Sequence, residues 1–258
     1  MRPKIEIRNV SKSYASDHGP VAALRGTDLA VKQGEFVSIV GPSGCGKSTL
    51  LYIVGGFLDA EGEVLIDGGP VKGPGIERGV VFQEYALFPW LTVRDNIAFG
   101  PRERGVPLAA RRALADKFIE SIGLRGFEDY YPKQLSGGMQ QRTAIARALA
   151  NNPKILLLDE PFGALDTQTR SLMQEMLLSI WERDRKTVLF VTHDIEEAIF
   201  LSNRVIVMSA RPGRLRADIK IDLEHPRSYK IKTAPDFISL KERLVEEIRS
   251  EALKAEVL

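Results

Sequence analysis

Apolar residues along this chain fall into two rhythms. Short β-rich runs come first: IEIRNV (5–10), LRGTDLAV (24–31) and EFVSIVG (35–41), separated by turn residues. The third run leads straight into a glycine-rich stretch, after which KSTLLYIVGGF reads as a helix. Two more strands follow, GEVLIDG and RGVVFQ. From Thr92 to about Ala150 the pattern turns helical. There PLAARRALADKFIESIGL sets Leu108, Ala115, Phe118, Ile119 and Ile122 near one face, and GGMQQRTAIARALA forms a further helix. After Pro153 strand and helix alternate: ILLLD, a helix from Thr167 to Asp184, TVLFVTH, DIEEAIFLS and RVIVMS. This alternation predicts parallel strands covered by helices, with a mostly helical segment inserted into an α/β core. Phe237, Leu240, Leu244 and Ile248 then recur at helical spacing, which predicts an amphipathic helix from about Pro235 to Leu253.

Composition narrows the class. A chain of 258 residues holds one large domain, or one domain with an appendage, and can bury a core without staples. The net charge of +2 and the lack of any block of like charge give no argument for a nucleic-acid partner. Cys45 is the one cysteine, so an internal disulfide is excluded. The start, MRPKIEIRNVSKSY, is too interrupted by charge for a signal peptide, and no apolar run approaches the roughly 18 residues needed to span a bilayer. The expectation is a cytoplasmic protein that works at a membrane only through a partner.

The glycine-rich stretch carries the first chemistry. Gly41, Gly46, Lys47 and Ser48 fit G-x-x-x-x-G-K-[ST], between a strand and a helix. Glycines let backbone N–H groups turn onto phosphate oxygens, and the helix N-terminus adds its dipole. Lys47 supplies a point charge for the β and γ phosphates, and the Ser48 hydroxyl can ligate Mg2+. Cys45 lies inside the loop, where Lys47 and the helix N-terminus are expected to favour its thiolate. A thiol alkylator should then inhibit, and ATP should protect.

KILLLDEP is an apolar strand ending in Asp159 and Glu160. A phosphate loop of this kind needs a carboxylate for its metal, which Asp159 can supply; Glu160, one residue on, can orient and deprotonate the attacking water. His193, after TVLFVT, either hydrogen-bonds the γ phosphate or is satisfied at its strand end. Gln83, ending RGVVFQ, either reaches the metal or water or is a polar strand terminus. His18 and His225 lie in loop-like contexts and receive no role. Ser136-Gly137-Gly138, in QLSGGMQQR, looks like a second anion-binding loop opening a helix, which raises the question of why one chain carries two.

Taken in order, the phosphate loop, Gln83, LSGGMQQR, ILLLDEP, GALD (Gly163 to Asp166) and His193 resemble the motifs of ABC transporter ATPase subunits, over about residues 4–223. The resemblance implies a P-loop NTPase of ABC-ATPase type: a mixed central sheet, an N-terminal antiparallel β subdomain and an inserted helical subdomain. It implies an ATPase domain over 1–223, with the helical subdomain at about 92–150, and a C-terminal extension over 224–258. It assigns Tyr14 to adenine stacking. Gly41, Pro42, Ser43, Gly44, Cys45, Gly46, Lys47, Ser48 and Thr49 would bind the phosphates. Gln83 would sense Mg2+ and the membrane subunit, and Ser136, Gly137 and Gly138 would form the signature loop, acting on a nucleotide held by a second copy. Asp159 would hold metal, Glu160 would be the general base, Asp166 would lie at a dimer seam, and His193 would be the switch histidine. Met139 departs from the pattern, standing where the commonest signature has Gln.

Within that family, GPGIERGVVFQEYALFPWLTVRDNIAFG, DEPFGALDTQTR and THDIEEAIFLSNRVIVMSARPGR resemble the ATPases of nitrate, sulfonate and taurine importers. This implies ATP and Mg2+, a homodimer or pair of ATPase subunits, membrane permease subunits, a periplasmic or lipid-anchored solute-binding protein, and a place on the cytoplasmic face of the inner membrane. The segment from Glu84 to Trp90 would face a permease helix, with Phe88 and Trp90 either apolar anchors there or core residues. The rival readings are a non-transport ABC ATPase and an exporter subunit. Lys47 and Ser136 lie only 89 residues apart with no sustained heptads, which disfavours a chromosome-type ATPase.

Overall fold

The computed structural model describes residues 2–17 and 19–256, so His18 lies outside the described residues. Two sheets form the frame. Strands β1 (Ile5–Tyr14), β2 (Val21–Val31), β4 (Glu61–Ile66) and β5 (Gly69–Pro70) make an antiparallel sheet in the order β2-β1-β4-β5. Strands β3 (Phe36–Val40), β6 (Arg78–Val81), β7 (Ile155–Asp159), β8 (Thr187–Val191), β9 (Arg204–Met208) and β10 (Leu215–Lys220) make the central sheet, in the order β10-β9-β3-β8-β7-β6. All its pairings are parallel except β10 with β9.

The continuous apolar runs have a direct cause in burial on both faces. On β3, Phe36 and Val40 enter one core while Val37 and Ile39 enter the other. The same division recurs on β7, where Leu156 and Leu158 face away from Ile155 and Leu157. Helix α1 (Lys47–Gly55) fills the space between the two sheets: Leu50, Leu51 and Val54 meet Ile5, Ile7 and Leu29 of the antiparallel sheet. The opposite face is covered by helices α5 (Thr167–Asp184), α6 (Ile195–Leu201) and α7 (Pro235–Glu256), through Leu177, Phe200, Phe237 and Leu244 among others.

Between β6 and β7 come the helices α2 (Val93–Glu103), α3 (Leu108–Ser121) and α4 (Gly137–Ala150). Ala115, Ile119 and Ile122 are buried as the helical spacing predicts. Leu108 is not: as the first residue of α3 it faces solvent, because the periodicity extends one turn further than the packing. Helix α7 follows its expected stripe, with Phe237 and Leu244 buried and Leu240 and Ile248 packed against the same core.

Two strands escape the sequence reading. β5 is two residues long, and β10 is an edge strand whose mixed sequence, LRADIK, shows little apolar signal. β1 also continues past Val10 to Tyr14, through register shifts against β2 that bend the strand and carry Tyr14 to the phosphate loop.

Candidate active site

The strand order creates the site. β3, β8 and β7 are neighbours, so their carboxyl ends bring the Gly41–Gly46 loop, His193 and the Asp159–Glu160 pair together. Asp159 lies opposite Val191 in the β7–β8 register, two residues before His193. Above them opens a cavity of about 770 Å3, lined among others by Tyr14, Lys47, Gln83, Glu160 and His193.

The loop folds around its own lysine. Lys47 is buried, and its Nζ donates to the carbonyls of Gly41 and Pro42, each at 2.9 Å. Gly46 caps α1 at φ 95°, in the left-handed region, where an added Cβ would lie 2.8 Å from the Ala23 carbonyl oxygen. No other residue fits there without moving β2.

Asp159 is fully buried and half satisfied. Ser48 Oγ donates to its Oδ1 at 3.0 Å, while Oδ2 has no hydrogen-bond partner. The Tyr52 hydroxyl approaches the same carboxylate without making a bond of good geometry to Oδ2. Burial raises the carboxyl pKa, against the lowering influence of Tyr52 and Ser48. The Tyr52 phenol is pushed up in turn, by its own burial and then by this carboxylate. An orphaned, buried carboxylate oxygen beside a serine hydroxyl suits a hard divalent cation that takes its remaining ligands from phosphate and water. Among the described residues no cluster of three His, Cys, Asp or Glu side chains offers a self-sufficient metal site.

Glu160 stands in a conformation that L residues seldom adopt, at φ 45°. Its N–H donates to Val191 O at 2.9 Å, which ties the kink to β8. Its Oε2 lies 3.1 Å from Nδ1 of His193, whose ring is mostly exposed to the cavity. The partner of His193 is thus the carboxylate beside the phosphate loop. Gln83 is exposed and lines the same cavity. Tyr14 is partly exposed at the rim, its hydroxyl 3.2 Å from Thr49 Oγ1, with Lys12 Nζ 5.7 Å from its ring centroid.

The expected thiolate at Cys45 is overturned. The side chain is fully buried beneath the loop, and burial pushes its thiol pKa up more than Lys47, 3.7 Å away, lowers it. The loop presents its backbone to the cavity and turns this side chain into the core beneath α1.

Ser136, Gly137 and Gly138 are not among the residues lining the cavity. Ser136 caps α4, its Oγ accepting from Met139 N at 3.3 Å. Gly137 lies so close to the Gln83 loop that a Cβ would sit 2.6 Å from the Tyr85 hydroxyl. Met139 packs partly buried against the core, so its apolar side chain has a place to go. Asp166 is an exposed N-cap of α5 that accepts from Thr169 N at 3.0 Å, and this bond lowers its pKa.

A second surface lies around the 84–90 loop. Trp90 is 69% exposed, whereas Phe88 is half buried, with its ring 4.3 Å from that of Phe99 and the Arg147 guanidinium 5.2 Å from its centroid. Phe88 thus supports the loop while Trp90 projects from it. Two shallow cavities, of about 310 and 290 Å3, share Arg78, Val80 and Asn151, and the exposed Phe57 and Ile76 flank the first of them. Sequence reasoning missed Phe57 and Ile76, since a lone apolar residue in a loop carries no periodic signal.

Fold and site together define a P-loop ATPase cassette. The sequence profile of the family described as ABC transporter matches residues 24–163, and the chain belongs to that family as an ATP-binding subunit whose ATPase is coupled to transport. It is 50% identical, over 99% of its length and 95% of the relative's, to an uncharacterised ABC transporter ATP-binding protein of Methanocaldococcus jannaschii. It is 47% identical, over 94% of its length and 95% of the relative's, to the aliphatic sulfonates import ATP-binding protein SsuB of Bacillus thuringiensis subsp. konkukian. A solved dimeric ATP-binding cassette in a post-hydrolysis state, bound to ADP and Pi, superposes with a TM-score of 0.78 at 38% identity, covering 85% of this chain and all of that one.

Proposed function

We propose that this chain is the ATP-hydrolysing subunit of an importer for a small anionic solute, with an alkanesulfonate favoured over nitrate or taurine. Likeness to the SsuB relative supports the sulfonate. Two copies act head to tail, each holding ATP on its own Lys47 loop and offering Ser136, Gly137 and Gly138 to the partner's γ phosphate. This answers the puzzle of two phosphate loops in one chain. The observation that carries it is that the Lys47 loop, Glu160 and His193 share a cavity that the Ser136 loop does not line. The dimeric state of the solved cassette is consistent with such a pair.

Within each site Lys47 binds the β and γ phosphates, Tyr14 stacks on adenine, and Ser48, Asp159 and Gln83 hold Mg2+. That ion supplies charge stabilisation of the transferring phosphoryl group. Glu160 orients the water and takes its proton, and His193 holds Glu160 and the γ phosphate in line. Asp166 lies at the seam. Residues 1–223 form the ATPase domain, with 92–150 as the helical subdomain and 224–258 as an extension. Phe57 and Ile76 in one shallow cavity and Phe88 in the next, with the Trp90 ring 5.6 Å from that of Phe88, offer a surface for a permease helix at the cytoplasmic face of the membrane. No described helix is long and apolar enough to cross a bilayer. A periplasmic or lipid-anchored binding protein selects the solute.

The test mixes Ser136→Arg and Lys47→Ala chains. Each is inactive alone, and the mixture regains one composite site per heterodimer, hence a measurable fraction of wild-type hydrolysis. No recovery in a mixture shown to contain heterodimers would count against shared sites. In the reconstituted complex, ATPase stimulation by an unsubstituted alkanesulfonate, and none by nitrate or taurine, identifies the solute.

A further inference from the structure

Glu197, on α6 one turn beyond His193, is a carboxylate that the nucleotide cavity does not use, yet it is only 5% exposed. Both its oxygens are engaged. Oε2 accepts from Thr192 Oγ1 at 2.7 Å, and Oε1 accepts from Gln174 Nε2 on α5 at 3.1 Å. The Arg170 guanidinium lies 3.9 Å from Oε1 and offsets the charge. Burying an acid is costly even when paired, and an apolar side chain would fill such a place at less cost. What an acid adds here is two acceptors in fixed directions.

Those directions matter because of what Thr192 holds. It directly precedes His193. Its N–H donates to Ile39 O of β3 at 3.2 Å, and its Oγ1 accepts from Asp194 N at 3.0 Å. With its hydroxyl proton given to Glu197, Thr192 fixes the backbone on both sides of His193. Gln174 is oriented in turn by the C-terminal extension: its Oε1 accepts from Lys232 Nζ at 3.4 Å, and an ammonium can only donate, so the amide nitrogen must face Glu197.

We propose that Glu197 is a positioning residue for His193, holding the histidine loop through Thr192, with Gln174 and Lys232 setting the polarity of the relay. The inference rests on the reading that Glu160 and His193 act on the γ phosphate. It gives the extension a part in hydrolysis at a distance from the nucleotide.

The test uses the full chain, Mg-ATP and steady-state kinetics beside thermal unfolding. In Glu197→Gln an amide cannot accept from both partners. The expected result is a kcat reduced roughly tenfold, with KM for ATP within about twofold, because the loop shifts while the phosphate site stays intact. The exchange variant Glu197→Gln/Gln174→Glu restores every donor–acceptor pair, Lys232 included, and conserves charge; its kcat is expected to return to within about threefold of wild type. Thr192→Val should lose rate as Glu197→Gln does, and Thr192→Ser should keep it, which carries the test if Glu197→Gln does not fold. A destabilised Glu197→Gln with wild-type kcat overturns the proposal, as does an exchange variant that recovers stability without rate, or equal rates for Thr192→Val and Thr192→Ser. If Glu160→Gln and His193→Ala also hydrolyse at wild-type rate, the reading of the site itself has failed. If both are inactive while Glu197→Gln is normal, only the positioning role falls.

Discussion

Glu160 Oε2 and His193 Nδ1 stand 3.1 Å apart at the carboxyl ends of neighbouring strands, although 33 residues separate them in sequence. The contact couples a carboxylate on a strained backbone to an exposed ring facing the nucleotide cavity. Glu160→Gln keeps the volume and the backbone but cannot take a proton. Hydrolysis is expected to fall by about 10²–10⁴, with ATP still bound. Size-exclusion chromatography with ATP should then show an accumulated dimer; a variant that turns over normally would remove Glu160 from the role of base.

Asp159 predicts a conflict between stability and function. Its folded-state pKa lies above the unfolded value, so the native state binds the proton more tightly and is stabilised as pH falls through that raised pKa. Asp159→Asn removes the buried charge. The nucleotide-free chain is expected to gain about 1 kcal/mol, or roughly 3 °C in Tm, and to lose that pH dependence. Its Mg2+-dependent hydrolysis should vanish. Calorimetry across pH, beside an ATPase assay, reads both.

Cys45 should resist alkylation in the folded chain, since its thiol is buried and its pKa raised. Mass spectrometry after a brief pulse of a neutral maleimide is expected to find little label in buffer and full label in denaturant. Fast labelling in buffer would mean that the loop opens far more readily than its Lys47 contacts suggest.

Arg227 ties the segment after β10 to the core. Its buried guanidinium donates to the carbonyls of Ile199, Phe200, Ser202 and Leu223, and burial holds its pKa down to about 10. Arg227→Leu strands those carbonyls, and a loss of about 3 kcal/mol is expected. Urea unfolding measures it, with an unchanged slope if the denatured state is unaffected.

Trp90 offers a separation of tasks. Its exposed ring lies apart from the nucleotide cavity, so Trp90→Ala should leave the isolated subunit's ATPase within about twofold of wild type while weakening its hold on the permease. Co-purification with the permease subunits tests this directly.

The phosphate loop, the alternating strands and the acidic pair were legible because each is local. Gly46 and Lys47 need only their neighbours, and a strand buried on both faces must be apolar throughout. Cys45 shows where local reasoning stops: proximity to Lys47 is visible in one dimension, but desolvation depends on the core that packs beneath the loop. The same holds for β10, whose place at the sheet edge demands little hydrophobicity, and for Phe57 and Ile76, which share a surface only after folding. Strand order settles the rest. Because β8 inserts between β3 and β7, chain segments far apart in sequence deliver Lys47, Asp159, Glu160 and His193 to one cavity, and leave Ser136 outside it. Sequence spacing carries helix and strand because those depend on short-range periodicity, whereas the pairing of strands, and with it the burial of each charge, exists only in three dimensions.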